Sequence, residues 1–199
     1  MEKDEFFELA KSSRTYRRYD GKPVGEDVLR GLVDAARMAP TGNNMQLLRF
    51  RVVGEESPAA SQLVFSHLHW AGALKDWDGP EVYQRPGGYV VICLPVSAAA
   101  NPIRLIDVGI AAQTVALAAA AQGLGCCMHK SYDAVLGDEL GLGEKDLAVA
   151  MVISVGGRGE KVVLERAGVG AAEAHGLTYW RESDGSHHVP KLELEDLLV

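Results

Sequence analysis

The sequence predicts one soluble domain in which helices and strands share a core, on three observations. The stretch Arg104 to Gln122 (RLIDVGIAAQTVALAAAAQ) is almost wholly apolar or glycine and rich in alanine. Alanine is the strongest helix former, so one continuous helix of about 28 Å is expected, buried on several sides. Tyr89–Leu94 (YVVICL) and Leu147–Val155 (LAVAMVISV) are unbroken apolar runs rich in β-branched residues, the pattern of strands covered on both faces. Finally, 199 residues contain no Pro/Ser-rich divider, repeat or low-complexity segment, so residues 1–199 read as a single domain.

Composition narrows the function classes. A hydrophobic content of 47% is ample for a core, and a formal charge of −7 argues against a general nucleic-acid surface. The long apolar helix has the length of a membrane span, but Asp107, Gln113 and the scarcity of Leu, Ile and Phe speak against a membrane. Cys93, Cys126 and Cys127 form no CxxC, and a bridge between adjacent cysteines would be strained. Reduced thiols and a cytoplasmic location follow, in keeping with an acidic, amphipathic start that has no apolar signal core.

Taken in order, Asp4 can cap a short helix carrying Phe6, Phe7, Leu9 and Ala10 inward. Arg14-Thr15-Tyr16-Arg17-Arg18-Tyr19 follows. Three arginines this close admit two arrangements: a solvated loop paired with carboxylates, or a phosphate clamp of Arg14, Arg17 and the Thr15 hydroxyl. A second helix spans roughly Glu26 to Met38, with Val28, Leu32, Ala35 and Ala36 as its apolar stripe. Ala39 to Gln46 (APTGNNMQ) is a turn by its Pro, Gly and Asn content. Its amide side chains either close a loop or meet the edge of a heterocycle with carbonyls and ring nitrogens.

Leu48, Phe50 and Val52 alternate with Arg49 and Arg51, a strand with one buried face. Residues 55–87 read as a partly helical excursion able to roof a pocket. His67 and His69 within it have no carboxylate or cysteine at supporting spacing, so no metal site is expected. Gly123-Leu124-Gly125 stops the long helix, and another helix begins near Ser131 or Asp133 and closes at Leu140-Gly141. Gly156-Gly157-Arg158-Gly159-Glu160 turns the 147–155 strand into Lys161–Leu164, without the pattern of a Rossmann phosphate loop. Residues 178–199 form a hairpin around Asp184-Gly185 and a leucine-rich arm that needs something to pack on. His187 and His188 point to opposite faces of it and cannot chelate together.

Four segments together resemble the FMN-dependent nitroreductase family: RTYRRY at 14–19, APTGNNMQ at 39–46, DVGIAAQTVALAAAAQGLGCCM at 107–128, and VGGRGE at 155–160. The likeness is greatest to a branch with RSYRRF near its start and HHVPK near its end. It implies an α+β fold, a mixed, mainly antiparallel sheet flanked by helices, in an interlocked homodimer with FMN at the interface. It also implies phosphate contact by Arg14 and Arg17, with Thr15 where the family usually has Ser. Pro40, Thr41, Asn44 and Gln46 would meet the isoalloxazine and ribityl chain. Backbone N–H groups near Lys130 and Ser131 would face the flavin's reactive nitrogen, and Lys191, or less directly Arg158, would close on the phosphate.

The implied activity is electron transfer from NAD(P)H through FMN to an electron-poor small molecule such as a nitroarene or quinone. No catalytic side chain is assigned, because the flavin carries the chemistry and water can supply protons. Other chemistry on the same scaffold, dehalogenation or flavin fragmentation, or a non-catalytic flavin-binding or redox-sensing role, remain the alternatives.

Overall fold

An antiparallel sheet lies at the centre of the computed structural model, which describes residues 2–74 and 76–199. Its four strands are β1 (Arg49–Val53), β2 (Gly88–Pro95), β3 (Leu124–His129) and β4 (Leu147–Gly157), in the order β1-β2-β4-β3. Alternate residues of β2 feed two cores, as a period of two requires. Val90, Ile92 and Leu94 pack with Ile153 and Val155 against two helices, α2 (Glu26–Ala36) and α4 (Pro102–Ala121). Tyr89, Val91 and Cys93 pack with Val152 on the other face, against Val64 of α3 (Pro58–Ser66) and Leu136 of α5 (Leu136–Glu139).

The long apolar helix forms as expected and gains two residues at its start. Asn101 is its N-cap, its side-chain oxygen accepting from Ile103 N at 2.9 Å and Arg104 N at 3.4 Å, and Pro102 opens the first turn. Val108, Ala111, Ala112, Val115, Ala116, Ala119 and Ala120 are buried. Gly123, at φ +75°, turns the chain into β3. Arg158 donates to the carbonyls of Leu124 (3.3 Å) and Ala120 (3.5 Å), a cation closing the negative end of α4. By length and composition α4 could cross a membrane, yet here it packs on α2 and the sheet.

Several local expectations are corrected. The first helix, α1 (Lys3–Ser12), starts on a capping box of Glu2 and Glu5, not on Asp4. Its Phe6 and Phe7 are half exposed and none of its residues is fully buried; of the four expected to turn inward only Leu9 and Ala10 are part-buried. In α2 the buried residues are Leu29, Leu32 and Ala36, while Val28 is exposed. Residues 124–129 are a full strand paired to β4 (Cys126 opposite Val155), where the sequence suggests only a lead-in. The expected 131–140 helix shrinks to α5, because Tyr132 and Asp133 are drawn off to Leu68 and His67.

A second sheet completes the fold: β5 (Val162–Arg166), β6 (Trp180–Arg181) and β7 (His187–Lys191), ordered β5-β7-β6, with α6 (Ala172–His175) before β6. The β6–β7 hairpin turns at Gly185, φ +84°, as expected. The parallel β5–β7 pairing, Val162 opposite His187 through Arg166 opposite Lys191, joins the C-terminal arm to the strand after the glycine turn. The class is α+β, and the main sheet is antiparallel throughout.

Candidate flavin site

The arginine segment runs beside β3, joined to it by one isolated parallel bridge of Thr15 with Cys126, in which Tyr16 N donates to Cys126 O at 2.9 Å. Glycines make that bed. A Cβ at Gly125 would stand 2.7 Å from the Tyr16 ring, at Gly157 2.4 Å from the Asp20 carboxylate, and at Gly159 2.2 Å from Tyr19 O. Glu160 then clasps the segment: Oε1 accepts from the backbone N–H of Arg17 and Arg18, and Oε2 from Arg181 at 2.9 Å. The Arg181–Glu160 pair is largely dry, with side chains 12% and 2% exposed. Thus VGGRGE serves as the seat of RTYRRY.

What that seat presents is a cavity of about 400 Å³ lined by Arg14, Thr15, Arg17, Gln113, Met128, His187 and Lys191 among others. Among the described residues no aspartate or glutamate lines it. Arg14 gives one Nη2–H to Ala10 O at 2.7 Å, ending α1, and its buried Nε has no partner. Arg17 lies over the Tyr179 ring at 4.5 Å and donates to His187 Nε2 at 3.2 Å. Among the described residues neither arginine, nor Lys191, has a carboxylate in ion-pair range. The solvated, carboxylate-paired loop is therefore not what forms. Three cations, an orphaned guanidinium N–H and the Thr15 hydroxyl around one cavity suit a phosphate-sized anion.

His187 is missed by sequence reading, which considered it only as half of a His pair. It is buried, and burial, opposed by Glu160 and reinforced by Arg17, pushes it down to about 4. Its neighbour His188 faces away, bonding Glu165 and Ser186 and stacking on Trp180. The alternation expected for these two residues is what the hairpin shows. Tyr179 is likewise supplied by tertiary structure, with no local motif to announce it, while Glu160 and Gln113 lie inside the VGGRGE and 107–128 segments without either segment revealing what they face.

The amide turn sits elsewhere. Pro40, Thr41 and Gln46 line a separate cavity of about 300 Å³ with Leu48, Phe50, Asp107 and Ala111. Asn44 is exposed beside it. Asn43, Asn44 and Gln46 all have positive φ (54°, 52° and 49°), an arrangement L-residues adopt at a cost and one that concentrates at functional sites. Both cavities border α4. At 3.6 residues per turn, Asp107 and Ala111 stand on one side of a stripe of exposed Ile103 and Ile106 and part-buried Ile110 and Leu117, and Gln113 and Ala116 on the other.

Lys130 and Ser131 follow directly after β3 but line neither cavity; the Lys130 ammonium donates to Ala150 O at 3.0 Å. Arg158 is engaged at the end of α4, over the Tyr16 ring, and also lies outside the cation cavity. Among its described residues the excursion at 55–87 contributes no lining to it either; its Trp77 instead meets Arg181 at 4.3 Å. His67 and His69 do meet carboxylates, Asp133 and Glu139, which arrive from distant sequence. The two ring nitrogens of His67 address different carboxylates, and among the described residues no His/Cys/Asp/Glu group has metal-site geometry.

Residues 10–157 match the model of the nitroreductase family. Solved structures share the fold. A nitroreductase family protein from Clostridium novyi NT is 21% identical, with TM-score 0.63, covering 79% of this chain and 86% of that one. One from Streptococcus pneumoniae TIGR4 is 17% identical, with TM-score 0.63, covering 84% and 97%. A nitroreductase with bound FMN from Desulfitobacterium hafniense DCB-2 is 18% identical, with TM-score 0.60, covering 81% and 92%. No functionally curated protein matches the chain.

Proposed function

The chain belongs to the nitroreductase family, and from that premise we propose that it is an FMN-dependent oxidoreductase working as a homodimer. In this reading NAD(P)H is the donor and an electron-poor small molecule, a nitroarene or quinone, the acceptor. The observation that carries it is the cavity of Arg14, Arg17 and Lys191 without a carboxylate in an acidic protein. A nitroreductase with bound FMN shares the fold. FMN, when bound, would supply the redox chemistry that links a nicotinamide donor to the acceptor.

The residues divide the binding. Arg14, Arg17 and Lys191 neutralise and orient the phosphate through charge-assisted hydrogen bonds, with the Thr15 hydroxyl beside them. Pro40, Thr41, Asn44 and Gln46 shape the ring and ribityl contacts, their amides matching carbonyls and ring nitrogens. Backbone N–H groups at Lys130 and Ser131, beyond the strand whose Cys126 and Met128 line the cation cavity, address the reactive edge.

Two copies are needed because one chain keeps the two halves on opposite sides of the α4 stripe. Ile106, 61% exposed, and Ile103, 51%, are costly to leave in water. A two-fold dimer covering this stripe places the cations of one copy against the amide turn of the other. Phe6, Phe7 and the arm's Leu194, Leu197 and Leu198, all exposed, are further apolar surface for a partner copy. Three buried free cysteines suit a reducing cytoplasm.

Purified protein should carry flavin absorption that bleaches on anaerobic mixing with NADH or NADPH and returns with a quinone or nitroarene. Colourless protein that takes up no FMN, or bound flavin that neither donor bleaches, contradicts the proposal.

A further inference from the structure

We propose that the buried Arg104–Asp107 pair is a positioning device that fixes the Thr41–Gln46 turn in its binding shape before any ligand arrives, an inference that rests on the flavin reading above. Asp107 Oδ1 accepts from Gly42 N at 2.8 Å, Arg104 Nη1 donates to Gly42 O at 3.1 Å, and the same Nη1 meets Asp107 Oδ2 at 3.0 Å. Both backbone polar groups of one turn residue are thereby held by one ion pair whose side chains are 5% and 4% exposed.

Stabilising the fold does not explain such a pair, because apolar residues of similar volume usually serve a core as well or better. An apolar pair could not bind the N–H and C=O of Gly42. Those bonds matter because the next residues are strained: Asn43 and Asn44 are left-handed, and so is Gln46, whose N–H is tied to Thr41 Oγ1 at 3.2 Å. A turn of this kind persists only where its surroundings over-determine it. Glycine at its centre leaves the clasp room to close, since a Cβ at Gly42 would lie 2.5 Å from Ile103 Cγ2 and 2.9 Å from Arg104 Nη2 and both side chains would have to shift. The consequence is pre-organisation: the amides are aimed without an ordering cost at binding.

Removing one partner alone would strand a buried charge, so the test uses Arg104→Met/Asp107→Leu together, and Gly42→Ala, which forces the clasp open with both charges in place. Amide hydrogen exchange is followed in the apo protein, and FMN and riboflavin affinities by flavin fluorescence. Exchange across residues 40–47 should quicken about tenfold or more while β2 and β4 stay protected, and both flavins should weaken about tenfold with their affinity ratio kept. Arg104→Met/Asp107→Asn, which keeps an acceptor for the Gly42 N–H, should recover part of both. Unchanged exchange, or quickened exchange with unchanged flavin affinity, overturns the inference. A parent protein that binds neither flavin overturns the functional reading instead, and the exchange measurement still decides whether the clasp holds the turn.

Discussion

Arg17 and His187 are joined by a hydrogen bond of 3.2 Å from guanidinium Nη1 to imidazole Nε2. A guanidinium can only donate, so Nε2 carries the lone pair and the neutral ring holds its proton on Nδ1. This ring is a neutral prop under one of the three cations, fixing the rotamer of Arg17 without cancelling its charge. His187→Phe keeps the ring volume and removes the acceptor. FMN affinity should fall several-fold while riboflavin, which lacks the phosphate, is held as before, as measured by fluorescence titration.

A pH dependence follows from the same histidine. His187 and the buried His129 are each pushed by burial from 6.5 down to about 4. Between those values the unfolded chain binds protons that the folded one refuses, so stability is full above pH 6.5 and drains away towards pH 4. Each histidine should cost about 1 kcal/mol by pH 5.5. Thermal melts from pH 7 to 5 should show the decline, and His187→Phe should flatten it.

The cation cavity makes a sharper prediction. Arg14→Ala or Arg17→Ala should each remove about 1.5–3 kcal/mol of FMN binding, roughly ten- to a hundredfold, and leave riboflavin nearly untouched. Lys191→Ala should cost less, because its side chain is exposed.

Glu160 tests the scaffold. Glu160→Gln leaves Arg181 without its carboxylate in a nearly dry site and loosens the Arg17 and Arg18 amides. A loss of about 3–5 kcal/mol in unfolding free energy is expected in denaturant titration. Gly159→Ala, meeting Tyr19 backbone, should cost about 1–3 kcal/mol and lower FMN retention with it.

Much of this was legible from local pattern. The 104–122 helix, the 89–94 and 147–155 strands, the hairpin at Gly185 and the cationic segment all carry their signal in composition or spacing. Residues 124–129 did not, because Gly125 and two cysteines form a strand only once β4 is beside them. The 131–140 helix was over-read because His67 and Leu68, more than sixty residues away, claim its first turn. Phe6 and Phe7 pointed inward on the sequence because amphipathicity reveals an apolar face without saying whether its cover is in the same chain. The link from Asp107 to Gly42 and the grip of Glu160 on Arg17 span long separations that no motif spells out.

The account turns on one site being assembled from two copies, and subunit mixing tests that most directly. Arg17→Ala chains and Asn44→Ala/Gln46→Ala chains, each flavin-poor alone, are unfolded, mixed and refolded, and the mixed dimers are isolated by differential tags. One of their two sites then has intact cations from one chain and an intact amide turn from the other, so one FMN per mixed dimer should bind at near-parental affinity. Mixed dimers as empty as either parent variant would place both halves of the site within a single chain and contradict the account.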